Sequence, residues 1–263
     1  TAEMPHPAPQ TIIASTGRRL AEFAAMHRIS LAPLAQSVGI DPAHLGRNDI
    51  RISLEAFMRL LHLLETVSGD DCIGIRYALH FSPGDTGAFG FALLHAPTLR
   101  EALRVYRTYQ RIAVDHTYFD IAEEKAEVLI RWRYSRLFDF PEQYSDFHGA
   151  MLLRMLRGFT GAEWVPRRVE LLRRRPRSTD LHRLHFGPGV AFGAAAMNMV
   201  VFPAPELDSR SGKDDPRLFE LMEESCRSML AGIDRSKDLR MQVTEQILAM
   251  LPLGQATLTR VAA

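Results

Sequence analysis

The clearest helical pattern in the chain lies between residues 98 and 113. Thr98 precedes Glu101 by three positions, which is the sequence signature of a capping box at a helix N-terminus. Apolar side chains then recur at helical spacing, at Leu99, Ala102, Leu103, Tyr106, Tyr109 and Ala113. Just upstream, Gly84, Gly87 and Gly90 interrupt an apolar segment, and small residues in such a segment indicate a close approach of backbones. We expect residues 84–112 to form the centre of the core.

The first third of the chain also has helical patterns. Two short amphipathic helices are predicted between Thr11 and Val38. Ser53 is suited to cap a longer helix that ends at Ser68–Gly69, and another helix follows Asp70–Asp71. Further along, Pro141 is predicted to begin a helix that ends near residue 161. These segments predict a helical N-terminal part.

After the central helix, the hydrophobic period changes from 3.6 to 2. Residues 118–121 and 128–134 alternate in polarity around the charged tip Glu123-Glu124-Lys125, which predicts a β-hairpin. Short apolar runs near Val169, Val190 and Val200 predict further strands of the same sheet. The sequence therefore predicts an α+β fold, in which the helical N-terminal part packs on a small mixed β-sheet.

An arginine-rich segment, Pro166–Pro176, is predicted to be a strand. Its arginines and the following Arg177 indicate either a phosphate-binding edge or a solvated edge strand that resists aggregation. We favour the solvated edge.

A further helix is predicted to begin at Asp214-Asp215-Pro216, and a second one near Ser236. In the first, apolar residues keep a spacing of three and four: Phe219, Met222, Cys226, Met229 and Ile233. This apolar seam packs either within the domain or against a second copy, and we predict self-association through it. Near Gly254 a new amphipathic segment begins, without a C-terminal cap or an apolar partner, so we expect it to belong to a larger element.

Composition narrows the class of protein. The net charge of +1 over 263 residues gives no electrostatic footprint for a phosphate backbone, so DNA or RNA binding by this chain alone is not expected. Cys72 and Cys226 lie far apart and without metal-ligand spacing, which suits a reducing compartment. There is neither a signal-peptide pattern nor an apolar run of the ~18 residues that a membrane span needs. We expect a cytoplasmic protein without membrane contact.

Catalytic and metal-binding patterns are weak. His182 and His185 have the i,i+3 spacing that could hold a metal, but no Cys or carboxylate accompanies them at ligand spacing, so we interpret them as surface histidines. Asp70–Asp71 lacks the spacing of a calcium loop, and no nucleophile elbow, P-loop or dinucleotide fingerprint is present. We predict no catalytic residue, no metal and no cofactor.

Three motifs, in order, resemble those of the AraC/XylS family of bacterial transcription regulators, in the branch with an arabinose-binding-type N-terminal domain. They are GAFGFA at 87–92 with APTLREAL at 96–103, FGPGVAF at 186–192 followed by Met197-Asn198, and LPLG at 251–254 leading into 256–263. The resemblance covers roughly residues 12–263. It implies a sensor and dimerisation domain with a helix-turn-helix DNA-binding module C-terminal to it.

The resemblance divides the chain into four parts. Residues 1–10 are a disordered lead-in, 11–212 the effector-sensing α+β domain, 213–252 linker and dimerisation helices, and 253–263 the truncated start of the DNA-binding domain. It also implies a homodimer that contacts DNA only through the missing C-terminal module. A ligand-free interaction domain and a small-molecule enzyme remain alternatives.

The predicted partner is a small organic effector in a mostly apolar cavity between the central helix, the hairpin and the helix that begins at Pro141. Aromatic bodies with hydroxyl, indole or imidazole tips are typical of such pockets. The predicted ligand-binding residues are Phe89, Tyr106, Tyr109, Trp132, Tyr134, Tyr144 and His148. The sequence does not identify the effector, or decide between activation and repression.

Overall fold

The structure is a computed structural model of the chain. It describes residues 10–115, 118–134, 138–139, 141–194 and 196–236, with residues 247 and 250. The helices are α1 (Leu20–Met26), α2 (Leu31–Ser37), α3 (Leu54–Ser68), α4 (Ile73–His80), α5 (Ala88–His95), α6 (Leu99–Tyr109), α7 (Glu142–Thr160), α8 (Asp180–Phe186) and α9 (Pro216–Ser236). The strands are β1 (Thr11–Ile13), β2 (Arg51–Ser53), β3 (Tyr118–Glu124), β4 (Glu127–Arg133), β5 (Arg168–Leu171), β6 (Ala191–Phe192) and β7 (Asn198–Pro203). Among these described residues, no helix is both long and apolar enough to cross a membrane.

The capping residues define the helix ends much as the sequence predicts. Thr98 Oγ1 accepts a hydrogen bond from the Glu101 amide (3.3 Å) at the start of α6, and Ser53 Oγ does the same for the Ala56 amide at the start of α3. Gly69 ends α3 in the left-handed region, at φ 70°. The Glu101 carboxylate bonds Arg104 Nε instead of closing a full capping box.

The five-stranded sheet has the order β3-β4-β7-β5-β6, and it is mixed, as predicted, because β5 and β6 run parallel while the other pairs are antiparallel. The β3–β4 hairpin is confirmed, with Tyr118 opposite Arg133. The prediction of an edge strand at Pro166–Pro176 is wrong. Only Arg168–Leu171 forms a strand, and it lies between β7 and β6, because it hydrogen-bonds to both.

The two helices predicted between Thr11 and Val38 are α1 and α2, but the start of that range is not helical, since Thr11–Ile13 is a strand. It pairs antiparallel with β2, forty residues further along, as a second small sheet. Arg51 fixes this pairing, because its guanidinium donates to Thr11 Oγ1 (2.6 Å) and to the Ile112 carbonyl (2.7 Å). A three-residue strand is too short to show a period of two, so its partner decides its conformation.

Two glycines let backbones pass at distances that no side chain would allow. A Cβ on Gly74 in α4 would lie 2.0 Å from the Gln143 carbonyl oxygen at the start of α7. A Cβ on Gly90 in α5 would lie 1.8 Å from the Pro83 carbonyl oxygen. The close packing expected around Gly90 is therefore confirmed.

The apolar seam of α9 packs against the chain itself. Phe219 and Cys226 are buried in the hydrophobic core, and Met222, Met229 and Ile233 are partly buried against it. The structure therefore supports the intramolecular alternative for these residues, and a homodimer stays a prediction. The predicted helix after residue 236 and the segment 253–263 lie outside the described residues, apart from Ile247 and Met250.

Candidate functional site

A cavity of about 250 Å³ lies between α5 and α7. Its walls come mainly from one face of α7, from Tyr144 to Phe159, and from the Phe89–Leu94 face of α5. At 1.5 Å per residue, the α7 contribution extends over roughly 22 Å. The residues that line the cavity are Ile12, Thr16, Phe81, Pro83, Thr86, Phe89, Gly90, Leu93, Leu94, Tyr106, Ala113, Val114, Tyr144, Phe147, His148, Met151, Leu152, Arg154, Met155, Gly158, Phe159, Ser211 and Lys213.

One end of the cavity is closed by a hydrogen-bonded group centred on His148. Tyr106 Oη lies 2.6 Å from His148 Nε2, and Tyr134 Oη lies 2.6 Å from His148 Nδ1. In its neutral form an imidazole has one donor and one acceptor, so one hydroxyl would donate to the ring and the other would accept from it. Burial raises the pKa of both tyrosines, which keeps the hydroxyls protonated. The polar atoms of Tyr106, Tyr134 and His148 are therefore bonded to one another.

The seven predicted site residues do not all reach the cavity. Phe89, Tyr106, Tyr144 and His148 line it. Trp132 lies behind the wall, fully buried, with its ring 5.2 Å from that of His148 in an edge-on arrangement.

The other two aromatic residues point elsewhere. Tyr134 lines a second cavity, of about 240 Å³, beside Arg133 and Arg173, and it reaches His148 from that side. Tyr109 points to α9, where its hydroxyl donates to Glu223 (3.3 Å). Ligand binding by the set of seven stays a prediction.

Two lining residues, Gly158 and Lys213, are exposed, and they mark the open end of the cavity. Sequence reasoning missed the two basic residues near it, Lys213 itself and Arg154, which lies one helical turn before Gly158 in α7. Arg154 Nη1 donates to the carbonyls of Ala78 and Phe81 at the end of α4. Within the described part of the chain, no carboxylate pairs with Arg154, and burial lowers the pKa of its guanidinium. In sequence, an arginine within an amphipathic helix resembles any solvated charge, so only the fold identifies it.

A second polar group, buried between α4, α7 and α8, contradicts two sequence interpretations. His182, read as a surface histidine, is completely buried, and Arg173, read as part of a solvated edge, is 6% exposed. Both bond Asp146 Oδ2: His182 Nε2 lies 2.9 Å away, and Arg173 Nη1 donates to the same oxygen. The packing of α8 against α4 and α7 turns both histidines of the i,i+3 pair inward.

Cys72 extends this group, with Sγ 3.8 Å from His182 Nδ1. The order of thiol, imidazole and carboxylate is that of a cysteine nucleophile with its base and orienting acid. Burial, however, raises the pKa of the Cys72 thiol to about 12, and the thiol is 4% exposed. A protonated, inaccessible thiol is not a nucleophile, so the group acts as a structural link between the helices.

Comparison with known proteins assigns the family. The model of the arabinose-binding domain of AraC transcription regulators, N-terminal, matches residues 29–211, which is more than half of the chain. The chain belongs to this family. The match begins just before α2, includes the five-stranded sheet, and ends at Ser211 on the open end of the cavity.

Relatives of this AraC-type domain are regulators as well. Uncharacterized HTH-type transcriptional regulators of Mycobacterium bovis and Mycobacterium tuberculosis are each 24% identical over 94% of the chain and 71% of their own length. The crystal structure of the transcriptional regulator CdpR from Pseudomonas aeruginosa superimposes with a TM-score of 0.59. It is 16% identical over 90% of this chain and 70% of its own, a level that supports the fold alone.

One group in the AraC-type domain has three potential metal-ligand atoms within 4.8 Å, among the residues that the structure describes: Asp70, Asp71 and Cys72. Its carboxylates already have protein partners. Asp70 Oδ2 pairs with Arg76 Nε (2.5 Å), and Asp71 Oδ2 accepts from the Arg177 amide (2.7 Å). These bonds hold the loop before α4, and they give no argument for a metal.

His185 makes the stability of the domain depend on pH. Burial against α7 lowers its pKa to about 4, and its Nε2 lies 3.3 Å from the Ala150 carbonyl. An unfolded histidine has a pKa of about 6.5, so acidification protonates the unfolded chain first. The contribution of His185 to the free energy of unfolding is therefore fully present above pH 6.5. We expect about 3 kcal/mol of that free energy to be lost as the pH falls from 6.5 to 4.

Urea unfolding followed by circular dichroism at several pH values measures this loss. His185→Gln keeps a donor for Ala150 but does not titrate, so the variant should lose less stability than the wild type over the same interval. Equal losses in both proteins would mean that other groups carry the pH dependence.

Proposed function

We propose that this domain binds a small organic effector in the cavity between α5 and α7, and thereby controls DNA binding by a helix-turn-helix module that follows α9 in the parent regulator. One observation carries the proposal. The open end of the cavity is formed by Ser211 and Lys213, which lead directly into α9. A ligand at this end contacts the segment through which the domain would communicate with anything C-terminal to it.

Contacts between the cavity walls and α9 give the signal a physical route. Helix α5, which lines the cavity, packs against α9, and His95 Nδ1 donates to the Lys213 carbonyl (3.0 Å). On the other side, Arg104 of α6 forms two bonds with Glu223 of α9 (2.8 and 2.9 Å). A ligand that favours one placement of α9 over another would shift the population between them, because differential affinity is what drives such a change.

The proposed partners of the parent regulator, DNA and a second copy of the protein, are inferred from the family. HTH-type relatives support a DNA-binding module in the parent protein, and a homodimer would suit the two-fold operators that helix-turn-helix proteins commonly read. Sedimentation velocity tests the homodimer, and a monomer mass at all accessible concentrations would exclude it for this chain.

Narrowing the open end of the cavity should abolish effector binding without harming the fold. Gly158 is an exposed residue of the cavity lining, and a Cβ placed there meets no atom within 4 Å. We expect Gly158→Leu to fold at least as stably as the wild type, because glycine is about 1 kcal/mol less favourable than alanine inside a helix. Compounds that raise the melting temperature of the wild type, in a thermal-shift screen of fatty acids, amino acids and aromatic acids, should no longer do so.

Gly232→Leu is the matched control. Gly232 lies in α9, is exposed and meets no atom within 4 Å, so the substitution changes helix propensity without entering the cavity. This variant should respond to ligands as the wild type does. The proposal fails if no compound stabilises the wild type and native mass spectrometry finds no bound molecule, and the domain is then better described as a dimerisation module.

A further inference from the structure

We infer that the effector is an anionic amphiphile, a monocarboxylate with an unbranched hydrocarbon body whose carboxylate lies by Arg154 and Lys213 at the open end of the cavity. This inference names the ligand class for the effector site proposed above, and it rests on that proposal. Three properties of the cavity carry it: its shape, the chemistry of its walls and the balance of its charges.

The shape favours a long, thin ligand. The α7 residues that line the cavity occupy one face over about four helical turns, or roughly 22 Å. A volume of about 250 Å³ distributed along such a length leaves a narrow channel. A compact sugar or amino acid would contact only a part of it, whereas an extended alkyl chain would follow it.

The walls of this channel are mostly apolar. Side chains such as Leu93, Met151, Met155 and Phe159 are apolar, and methionine adapts its shape to irregular apolar groups. At the closed end, Tyr106 and His148 use their polar atoms on each other and so add mostly ring carbon to the wall. A hydrocarbon body loses nothing on entering such a channel, while each unpaired hydroxyl or amide of a polar ligand would cost free energy.

The charges favour an anion. Two basic side chains, Arg154 and Lys213, line the cavity, and no Asp or Glu of the described residues does. The Arg154 guanidinium is half-buried, bonds two carbonyls through Nη1, and has no carboxylate partner within the described part of the chain. The two bonds to carbonyl oxygens cap the C-terminal end of α4, and they account for one of the three guanidinium nitrogens, Nη1. The remaining donors are suited to a carboxylate, with which arginine forms strong, geometrically defined pairs.

The inference is tested on the wild-type chain by isothermal titration calorimetry with three ligands that share a ten-carbon chain: decanoate, decanol and methyl decanoate. Decanoate is kept below its critical micelle concentration, and the two neutral compounds are kept below their aqueous solubility. We expect decanoate to bind at least tenfold more tightly than the two neutral compounds. In a series of longer and shorter carboxylates, each methylene should tighten binding about fourfold until the channel is filled.

A variant locates the carboxylate. Lys213 is exposed, so Lys213→Gln should fold normally. It should weaken decanoate binding several-fold and leave decanol binding unchanged. Gly158→Leu should block all three ligands, and Gly232→Leu should block none, which excludes non-specific detergent binding.

The outcomes separate this inference from the proposed function. Equal affinities for decanoate and decanol, or an unchanged affinity of Lys213→Gln for decanoate, would overturn the anion-binding assignment while an effector site remained. Binding of compact polar compounds in place of alkyl carboxylates would overturn the ligand class alone. No binding of any compound, with no molecule retained in native mass spectrometry, would overturn both.

Discussion

Replacing Arg173 by methionine should destabilise the domain by about 3–5 kcal/mol, because it leaves a buried carboxylate without its cationic partner. Asp146 is fully buried, and its Oδ2 accepts from Arg173 and lies 2.9 Å from His182 Nε2. Its Oδ1 has no hydrogen-bond partner within the described part of the chain. Methionine keeps most of the aliphatic stem, so the loss reports the charge and its hydrogen bonds.

The control is the neighbouring residue. Arg174 is exposed, and Arg174→Met should change the free energy of unfolding by no more than about 0.5 kcal/mol. Urea unfolding of the three proteins gives both values at one pH. A loss below about 1 kcal/mol for Arg173→Met would show that Asp146 is compensated in another way, for example by its contact with His182.

Gly74→Ala should have the second large effect, a loss of about 2 kcal/mol or more. The added methyl group would lie 2.0 Å from the Gln143 carbonyl oxygen, so α4 and α7 must move apart. That movement would also lengthen the bond from the Gly74 amide to Gln143 Oε1, now 2.9 Å. The overlap is with backbone, which cannot rotate out of the way as a side chain could.

The same substitution of glycine by alanine at another helical position should raise the stability of the domain instead of lowering it. A Cβ on Gly158 in α7 meets open space, and Gly158→Ala should stabilise the domain by up to about 1 kcal/mol. Thermal and urea unfolding of both variants compare the two effects directly. Stabilisation by Gly74→Ala would mean that the contact between α4 and α7 yields easily.

Local signals in the sequence predicted much of the fold. The caps at Thr98 and Ser53 and the change of period after α6 each depend on a few neighbouring residues, and the structure confirms them. Pairings between distant segments could not be predicted in this way. The strand at Thr11 depends on Arg51, and the burial of Arg173 depends on Asp146 in a different element. In each case the partner, and not the local sequence, decides the environment.

The candidate site shows the same difference between what local sequence signals predict and what depends on distant contacts. Tyr106, Tyr144 and His148 were predicted because helical spacing fixes which side chains share a face, and they line the cavity. Alternation along β4 placed Trp132 on an inward face, but could not show that His148 stands between it and the cavity. The basic residues of the open end had no distinguishing pattern, since Arg154 is isolated in an otherwise apolar face and Lys213 lies in a loop.

The order of the five-stranded sheet has a consequence for assembly. Within the described residues, each of its two outer strands has a neighbouring strand on one side only, and in other proteins such an edge can attach a strand of a neighbouring molecule. One outer strand, β3, carries Asp120, Glu123 and Glu124, and the other, β6, is two residues long. Like charges and short length both oppose edge-to-edge joining. These features therefore oppose an assembly in which one sheet continues into that of a second copy.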